Sequence, residues 1–535
     1  MNTLSSLAGL LLVLAVVYAA HAAWLSLWHA RRARQLGCQP AFVRPYRWPF
    51  ALDILKRIMV QTEDQNVQND DVKLYEEMGC RPTWYQNILG DWHHLTSDPK
   101  NIQAILATQF KDFQLGPLRR GALGPLLGHG IFTNDGVDWE RSRAMLRPQF
   151  ARGQVADLML EEVHVQHLFN RLVDGENSWT TEVDLVPLFF NLTLDSATEF
   201  LFGKSVLSQN NPTGTSPGSV TTEKETRDPT TESSWLAWSS FGHHFDSANV
   251  TTNYRSRLMG LYWLYNPRRF QDDCREVHKC IDYFVQLALT RQKKGQVDDE
   301  SEDHQGYIFL HELVKTTQDP VELRSQLLNI LLAGRDTTAG LLGWTFYLLA
   351  RHPATYQALR TAVLDTFGTG KESITFEALK SCSYLQHTMS EVLRLEPVVP
   401  ENSRCAVRNT TLPNGGGPDG RSPIYIRAGQ EVAYNVHIMH RRQDIWGEDA
   451  NEFRPERWQG RKTGWEFLPF NGGPRICLGQ QFALTEAGYV IVRILQRYDR
   501  VDNLGDEIIT KRKYTSTTSP TKVLVRLHEA LPGKK

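Results

Sequence analysis

The ten residues "FNGGPRICLG", Phe470 to Gly479, decide how the rest of this 535-residue chain is read. One cysteine, Cys477, stands among three glycines and a proline, with Arg475 two places before it. A disulfide half, an inert buried thiol and a metal-ligating thiolate all fit such a place. Behind it a helical pattern begins at once, with Leu484, Ala487, Ile491 and Leu495 on one face. A cysteine at a helix N-terminus has its thiolate stabilised by the dipole and by free N–H groups, as a metal ligand requires. Gly473 and Gly479 allow turns closed to other residues, and Pro474, lacking an N–H, stiffens the approach.

The N-terminus bears on that choice through the redox compartment. The first 30 residues contain no Asp, Glu, Lys or Arg, and the apolar run from Leu7 to Trp28 meets the roughly 20-residue requirement of a membrane span. Arg31, Arg32 and Arg34 follow, which by the positive-inside rule leaves the body of the chain cytosolic, with Trp24 and Trp28 at the interface. A cleaved signal peptide is the rival, since "AAHAA" offers small residues; the missing basic n-region and the length of the apolar run favour a retained anchor. In a reducing cytosol the seven cysteines (Cys38, Cys80, Cys274, Cys280, Cys382, Cys405, Cys477) are expected to be mostly free, and no CxxC pair offers a zinc site. The N-x-S/T matches at Asn191, Asn249 and Asn409 are then expected to stay unglycosylated.

Length alone allows one large domain or several. Hydrophobic residues at 41% and charged residues at 22% describe a globular protein. A formal net charge of −1, from 59 basic and 60 acidic residues spread along the chain, argues against a nucleic-acid footprint and for small-molecule ligands. The expected organisation is an anchor over 1–30, a stiff linker over 31–60 with Pro40, Pro45 and Pro49, and one body over 61–535. Residues 208–234, rich in Thr, Ser and Pro, read as a mobile insertion within it. Helical patterns dominate, the longest from Val321 to Arg351 with Leu327, Leu331, Leu341, Leu342, Thr345 and Leu349 recurring. From about residue 401 turn residues and β-branched runs read as small sheets, so the fold class is mainly α with minor β.

The cysteine stretch has five fixed positions in ten, F-x-x-G-x-R-x-C-x-G, and resembles the haem-thiolate loop of the cytochrome P-450 monooxygenases. On the long helix "AGRDTT", Ala333 to Thr338, is similar to that family's oxygen-activating motif. There Gly334 lets a flat ligand approach, and Asp336 and Thr337 supply an acid and a hydroxyl where the helix is locally widened. "EVLR" places Glu391 and Arg394 on one helix face, and "FRPERW" supplies Arg457; the resemblance makes these three a structural triad bracing the cysteine loop, with Trp458 where many members have Phe. "WERSR" sets Trp139 and Arg143 four apart, matching the family helix that reaches a haem propionate, and Arg404 and Arg475 are further propionate candidates by resemblance.

Taken over roughly residues 70 to 530, with five motifs in family order, the chain is most similar to the fungal alkane and fatty-acid ω-hydroxylases. The resemblance implies the cytochrome P-450 fold, thiolate-ligated haem b held by Cys477, and electrons from NADPH through a separate membrane-bound reductase. A thiolate ligand favours O–O cleavage, and Asp336 and Thr337 would relay protons. Where animal ω-hydroxylases often carry a haem-linked glutamate this chain has Ala333, so no ester bond is expected. Arg141, Arg147, Arg461 and Lys462 are candidates for reductase docking. Substrate walls are expected around residues 115–127, 235–270, 328–337, 398–402 and 516–518. Terminal hydroxylation of a fatty acid, alkane or alkyl chain at the endoplasmic reticulum fits best. Tailoring of a fungal polyketide or terpenoid is the alternative, and a haem-binding sensor or carrier without turnover is a third.

Overall fold

The pattern from Val321 to Arg351 folds as one helix, Pro320–Arg351, started by Asp319, whose carboxylate accepts from the Val321 N–H at 2.9 Å. It is apolar on most sides and therefore lies at the centre. Its first half, Leu323 to Leu332, belongs to one buried cluster with Phe200, Phe245, Phe284 and Phe309. Its second half, Ala339 to Ala350, belongs to another with Phe189, Met389, Val490 and Ile491. The motif Ala333–Thr338 falls in the gap between these two cores. Against the central helix lie the helices Leu185–Phe202, Arg268–Lys293, Ser383–Leu395 and Gln480–Arg497, the last following the cysteine loop.

The computed structural model describes residues 2–63, 65–150, 158–210, 240–294, 307–505 and 511–530. The expected insertion lies outside the described residues from 211 onward, as do residues 235–239 of one expected substrate wall. Five strands form a mixed sheet in the order Thr83–Ile88, Asp91–Thr96, Glu431–Asn435, Glu401–Ala406, Phe113–Gln114. Only the pairing of Asp91–Thr96 with Glu431–Asn435 is parallel. The Gly-rich stretch expected to turn pairs Thr410–Gly416 with Ser422–Ile426, antiparallel.

The N-terminal helix Asn2–Gln35 contains a segment from Gly9 with mean hydropathy 2.1 and none of it buried, long and apolar enough to cross a membrane. Leu185–Phe202 passes the same length and composition test but is mostly buried core. The stretch 31–60, expected as a linker, is docked onto the body. Ala41 bridges Gly416 and Val43 bridges Tyr85, while Arg44, Ala51 and Ile54 are buried. A second helix, Leu52–Glu63, begins inside it. Three prolines rule out a helix through residues 40–49, but edge pairing to strands far along the chain immobilises the segment, which composition does not reveal.

Candidate functional site

The cysteine loop is tight at one end. Gly473 adopts φ +66°, and a Cβ there would come 1.9 Å from the Leu106 carbonyl oxygen, so backbone meets backbone and only glycine fits. Gly479, expected to need the same freedom, has φ −89° and does not use it. The Cys477 N–H donates to the Phe470 carbonyl at 3.0 Å, closing the loop before the helix Gln480–Arg497. Cys477 is enclosed by protein yet keeps accessible surface, so its sulfur faces an internal space of the fold. Burial pushes its thiol up; the Gly479 N–H and Arg143 act the other way. The helix terminus alone therefore does not make a thiolate here, whereas a coordinated metal deprotonates a thiol outright.

The three residues expected to brace that loop do come together. Glu391 and Arg394, both fully buried, form a two-pronged pair at 2.8 Å each. Arg457 donates to the same carboxylate at 3.2 Å, and so does the Arg454 N–H at 3.0 Å. Trp458, the departure noted in the sequence, donates its indole N–H to Glu391 at 3.0 Å, which phenylalanine could not do. Trp458→Phe is accordingly expected to cost about 1.5–3 kcal/mol, as for a buried hydrogen bond to a charged group, read as a lower unfolding midpoint. Arg394 also donates to the carbonyls of His440 at 2.8 Å and Ala450 at 2.6 Å. Sequence reasoning missed His440. Burial holds its imidazole neutral, lowered to about 3, so one ring nitrogen accepts from the Leu468 N–H at 3.0 Å and the other donates to the Arg394 carbonyl at 3.2 Å. His440 thus ties the triad to the start of the cysteine loop, and a lone histidine 37 residues before Cys477 carries no signal of that in the sequence.

Around the same internal space the structure gathers arginines. Arg475 stands 4.3 Å over the Trp139 ring and donates to Asp135 at 2.8 Å. Arg143, on the helix Gly136–Leu146 with Trp139, donates to the Ile476 carbonyl at 3.0 Å. Arg404 is buried and shares the Asn402 side-chain oxygen, at 3.0 Å, with Arg119, at 2.7 Å. Arg119 was not legible in the sequence, where it is one of two adjacent arginines in an apolar helix. Burial and then the Arg404 charge push Arg475 down to about 9 and Arg119 down to about 10; the acids nearby are Asp135 and Glu431. Four guanidinium groups with so few carboxylates form a site that demands an anion, as the two carboxylates of a porphyrin would supply. The enclosed sulfur, the positive rim and the backbone crowding at Gly473 fit haem.

On the central helix, Ala333, Gly334 and Thr337 are partly accessible from the interior while Arg335, Asp336 and Thr338 are buried. A Cβ on Gly334 would meet only Ala197 at 3.9 Å, an ordinary contact, so no protein atom demands glycine there. The expected widening is absent: the helix is α throughout, with the Thr337 hydroxyl donating to the Ala333 carbonyl at 2.6 Å. The one π segment among the described residues is Ala104–Thr108, whose Leu106 carbonyl crowds Gly473. Asp336 turns away from Thr337. Its carboxyl accepts from the Asn249 amide at 3.1 Å and from Arg335 at 3.3 Å.

One buried acid lies outside the expected set. Glu486, on the helix after the cysteine, sits among Glu161, Ser196 and Thr338, and burial followed by the Glu161 charge pushes it well above the carboxylate range. A raised carboxyl contributes stability that is complete below the ordinary carboxylate range and lost as pH rises through its folded value. Glu486→Gln is therefore expected to lose less thermal stability than the parent as pH rises above the ordinary carboxylate range, read from unfolding midpoints along that rise.

The comparisons with known proteins agree with this construction. The cytochrome P450 family model matches residues 44–525. "Cytochrome P450 monooxygenase g430" of Fusarium sp is 50% identical over 492 residues, covering 91% of this chain and 84% of that protein. "Cytochrome P450 52A13" of Debaryomyces hansenii is 46% identical over 460 residues, covering 85% and 84%. "Cytochrome P450 52A5" of Candida maltosa is 50% identical over 413 residues, covering 75% and 74%. The cytochrome P450DA heme domain superposes with a TM-score of 0.71 at 21% identity, covering 92% of this chain and 98% of that one, a likeness of fold. A family model matching residues 44–525, with relatives covering 75–91% of the chain at 46–50% identity, leads to one assignment: this chain belongs to the cytochrome P450 family and is a haem-thiolate monooxygenase.

Proposed function

We propose that this monooxygenase hydroxylates the terminal carbon of a fatty acid, alkane or alkyl chain, with Cys477 as the iron ligand. Bound haem supplies oxygen activation and attack on an unactivated C–H bond; the chain supplies placement, charge and protons. Arg404, Arg475, Arg143 and Trp139, joined by Arg119, hold the propionate side. Glu391, Arg394 and Arg457 keep the cysteine loop in register. With haem bound, the Thr337 hydroxyl, engaged with the Ala333 carbonyl and partly accessible, and the buried Asp336 carboxyl, which faces Asn249, would be the groups that hold and supply protons.

The observation that carries the substrate class is an apolar ridge at the surface. Leu261, Trp263, Leu264 and Tyr265 are exposed, Trp263 at 61%, while Met259 of the same segment packs on Ala51, Ile54 and Ile88. Exposed Phe50 and Leu52 flank that contact, shortly after the apolar N-terminal helix. An exposed apolar patch of this kind, on a chain that also carries a membrane-length helix, suits substrate taken from lipid. The orientation we infer is a single span of the endoplasmic reticulum with the body cytosolic. Asn409 is the acceptor that reports on it, being exposed; Asn249 is 2% exposed and cannot.

Of the four cations read from the sequence for docking a membrane-bound NADPH reductase, two have partners within the chain. Arg141 is tied to Glu322 by two contacts of 2.9 Å, and Arg461 lies 4.2 Å over Trp446. Arg147 and Lys462 remain exposed and are the cations we assign to it. Membranes containing the protein and a reductase, given fatty acids, alkanes, polyketides and terpenoids, are expected to yield terminal alcohols by mass spectrometry. Oxidation of a polyketide or terpenoid with fatty acids and alkanes untouched overturns the substrate reading. That alternative is kept because the name of the Fusarium relative, at 50% identity, states no substrate.

A further inference from the structure

Asn249 lies on the helix Phe241–Arg257, 87 residues from Asp336, and is 2% exposed. Its amide nitrogen donates to the Asp336 carboxyl at 3.1 Å, but its own carbonyl oxygen is buried with no hydrogen-bond partner. An apolar side chain would fold more favourably there than an amide with an orphaned acceptor. The amide also suits an acid that changes state, since its nitrogen donates to the carboxylate and, turned over, its oxygen accepts from the protonated form. The rest of the surroundings fix the same helix. Arg335 bonds Asp246 at 2.5 and 3.2 Å, bonds Asp336 at 3.3 Å, and lies between the rings of Phe190 and Phe245 at 5.3 and 5.7 Å. Beside Asp336 and Asn249 is a small polar cavity of about 10 Å³, room for about one water, lined also by Thr515, Thr517, Ser519 and the exposed Lys513.

We propose that Asn249 is the positioning residue for Asp336: it holds the carboxyl on this water-sized cavity, so that proton supply to the reaction depends on the helix Phe241–Arg257 being docked. The charged groups facing Asp336 are Arg335 of its own helix, Asp246 of the Asn249 helix, and Lys513 of the strand Arg512–Tyr514. Burial first, with Asp246 adding and Arg335 and Lys513 opposing, brings Asp336 up to about 6, where protons are exchanged near neutral pH. With a raised value, the stability tied to neutral Asp336 is complete below the ordinary carboxylate range and falls as pH rises through 6. Losing the amide donor disfavours the ionised form, so the deficit of a variant must grow with pH.

The test uses the full haem-loaded chain and Asn249→Leu, with the smaller, non-titrating Asn249→Ala as a second variant should leucine disturb folding. The unfolding midpoint is expected to fall further below the parent at pH 8 than at pH 5, by about 2 °C or more, for both variants. In an Asp336→Asn background this pH dependence should vanish. With dodecanoic acid as probe, kcat is expected to fall about tenfold with KM within twofold, and more NADPH should be consumed without product. An equal midpoint loss at both pH values, or one that keeps its pH dependence when Asp336 is asparagine, overturns the proposal, as does a raised KM with kcat unchanged. The unfolding comparison needs no substrate, so a wrong substrate class would leave it standing.

Discussion

Cys477→Ala protein is expected to fold to near-parental stability, to turn over nothing, and to lack the far-red-shifted Soret band when reduced and exposed to carbon monoxide. The separation of these effects follows from where the sulfur sits. The sulfur keeps accessible surface and accepts from the Gly479 N–H, while the rest of the loop is held by the Cys477 N–H, by Gly473 against Leu106 and by Asn471, which alanine leaves in place. Truncation at a site already lined by open space leaves little new cavity, so the cost to folding should stay below about 1 kcal/mol. Cys405 is buried in the strand Glu401–Ala406 with its thiol pushed up to about 11, first by burial. Full activity in the alanine variant, or an unaltered carbon-monoxide spectrum, would remove the basis of every functional statement above.

Glu391→Ala is expected to fail in the opposite way, losing roughly 3–5 kcal/mol and shedding haem during purification, while any protein that keeps haem shows the parental carbon-monoxide spectrum. Glu391 is fully buried and collects donors from Arg394, Arg457, Trp458 and the Arg454 backbone. Removing it leaves two buried guanidinium groups without their carboxylate, and the unpaired charges dominate the loss. Arg394 keeps its carbonyl partners and Arg457 keeps Asp449 at 2.8 Å, so the effect should stop short of the full desolvation penalty. Because His440 links the Arg394 carbonyl to Leu468, the disturbance reaches the cysteine loop. Guanidinium titration of parent and variant, followed by the Soret band and by tryptophan fluorescence together, checks it: coincident, parental transitions would show that the triad does not brace the loop.

Much of the fold and part of the site were legible in the residues alone, and the division has a physical cause. The central helix was bounded to within one residue because Pro320 and Pro353 flank a continuous apolar period, and those are local constraints. The cysteine loop could be read because its glycines, Arg475, Cys477 and the following helix fall within a few residues, whereas the crowding of Gly473 comes from the distant Leu106 carbonyl, which no local pattern shows. The apolar N-terminal run likewise needs only its own composition. What the sequence could not settle is where side chains point once helices are packed. Asp336 and Thr337 are neighbours in sequence, yet adjacent helix positions face about 100° apart, and tertiary contact gave the acid to Asn249 and the hydroxyl to its own helix. Arg119 meets Asn402 across 283 residues, and Trp458 meets Glu391 across 67. The docking of residues 31–60 and the buried company of Glu486 are of the same kind. Local sequence determined the elements and the cysteine loop, because those depend on sterics and periodicity over a few residues; packing between distant elements decided charge crowding, proton affinity and the direction of each polar group, because those depend on neighbours that no local pattern names.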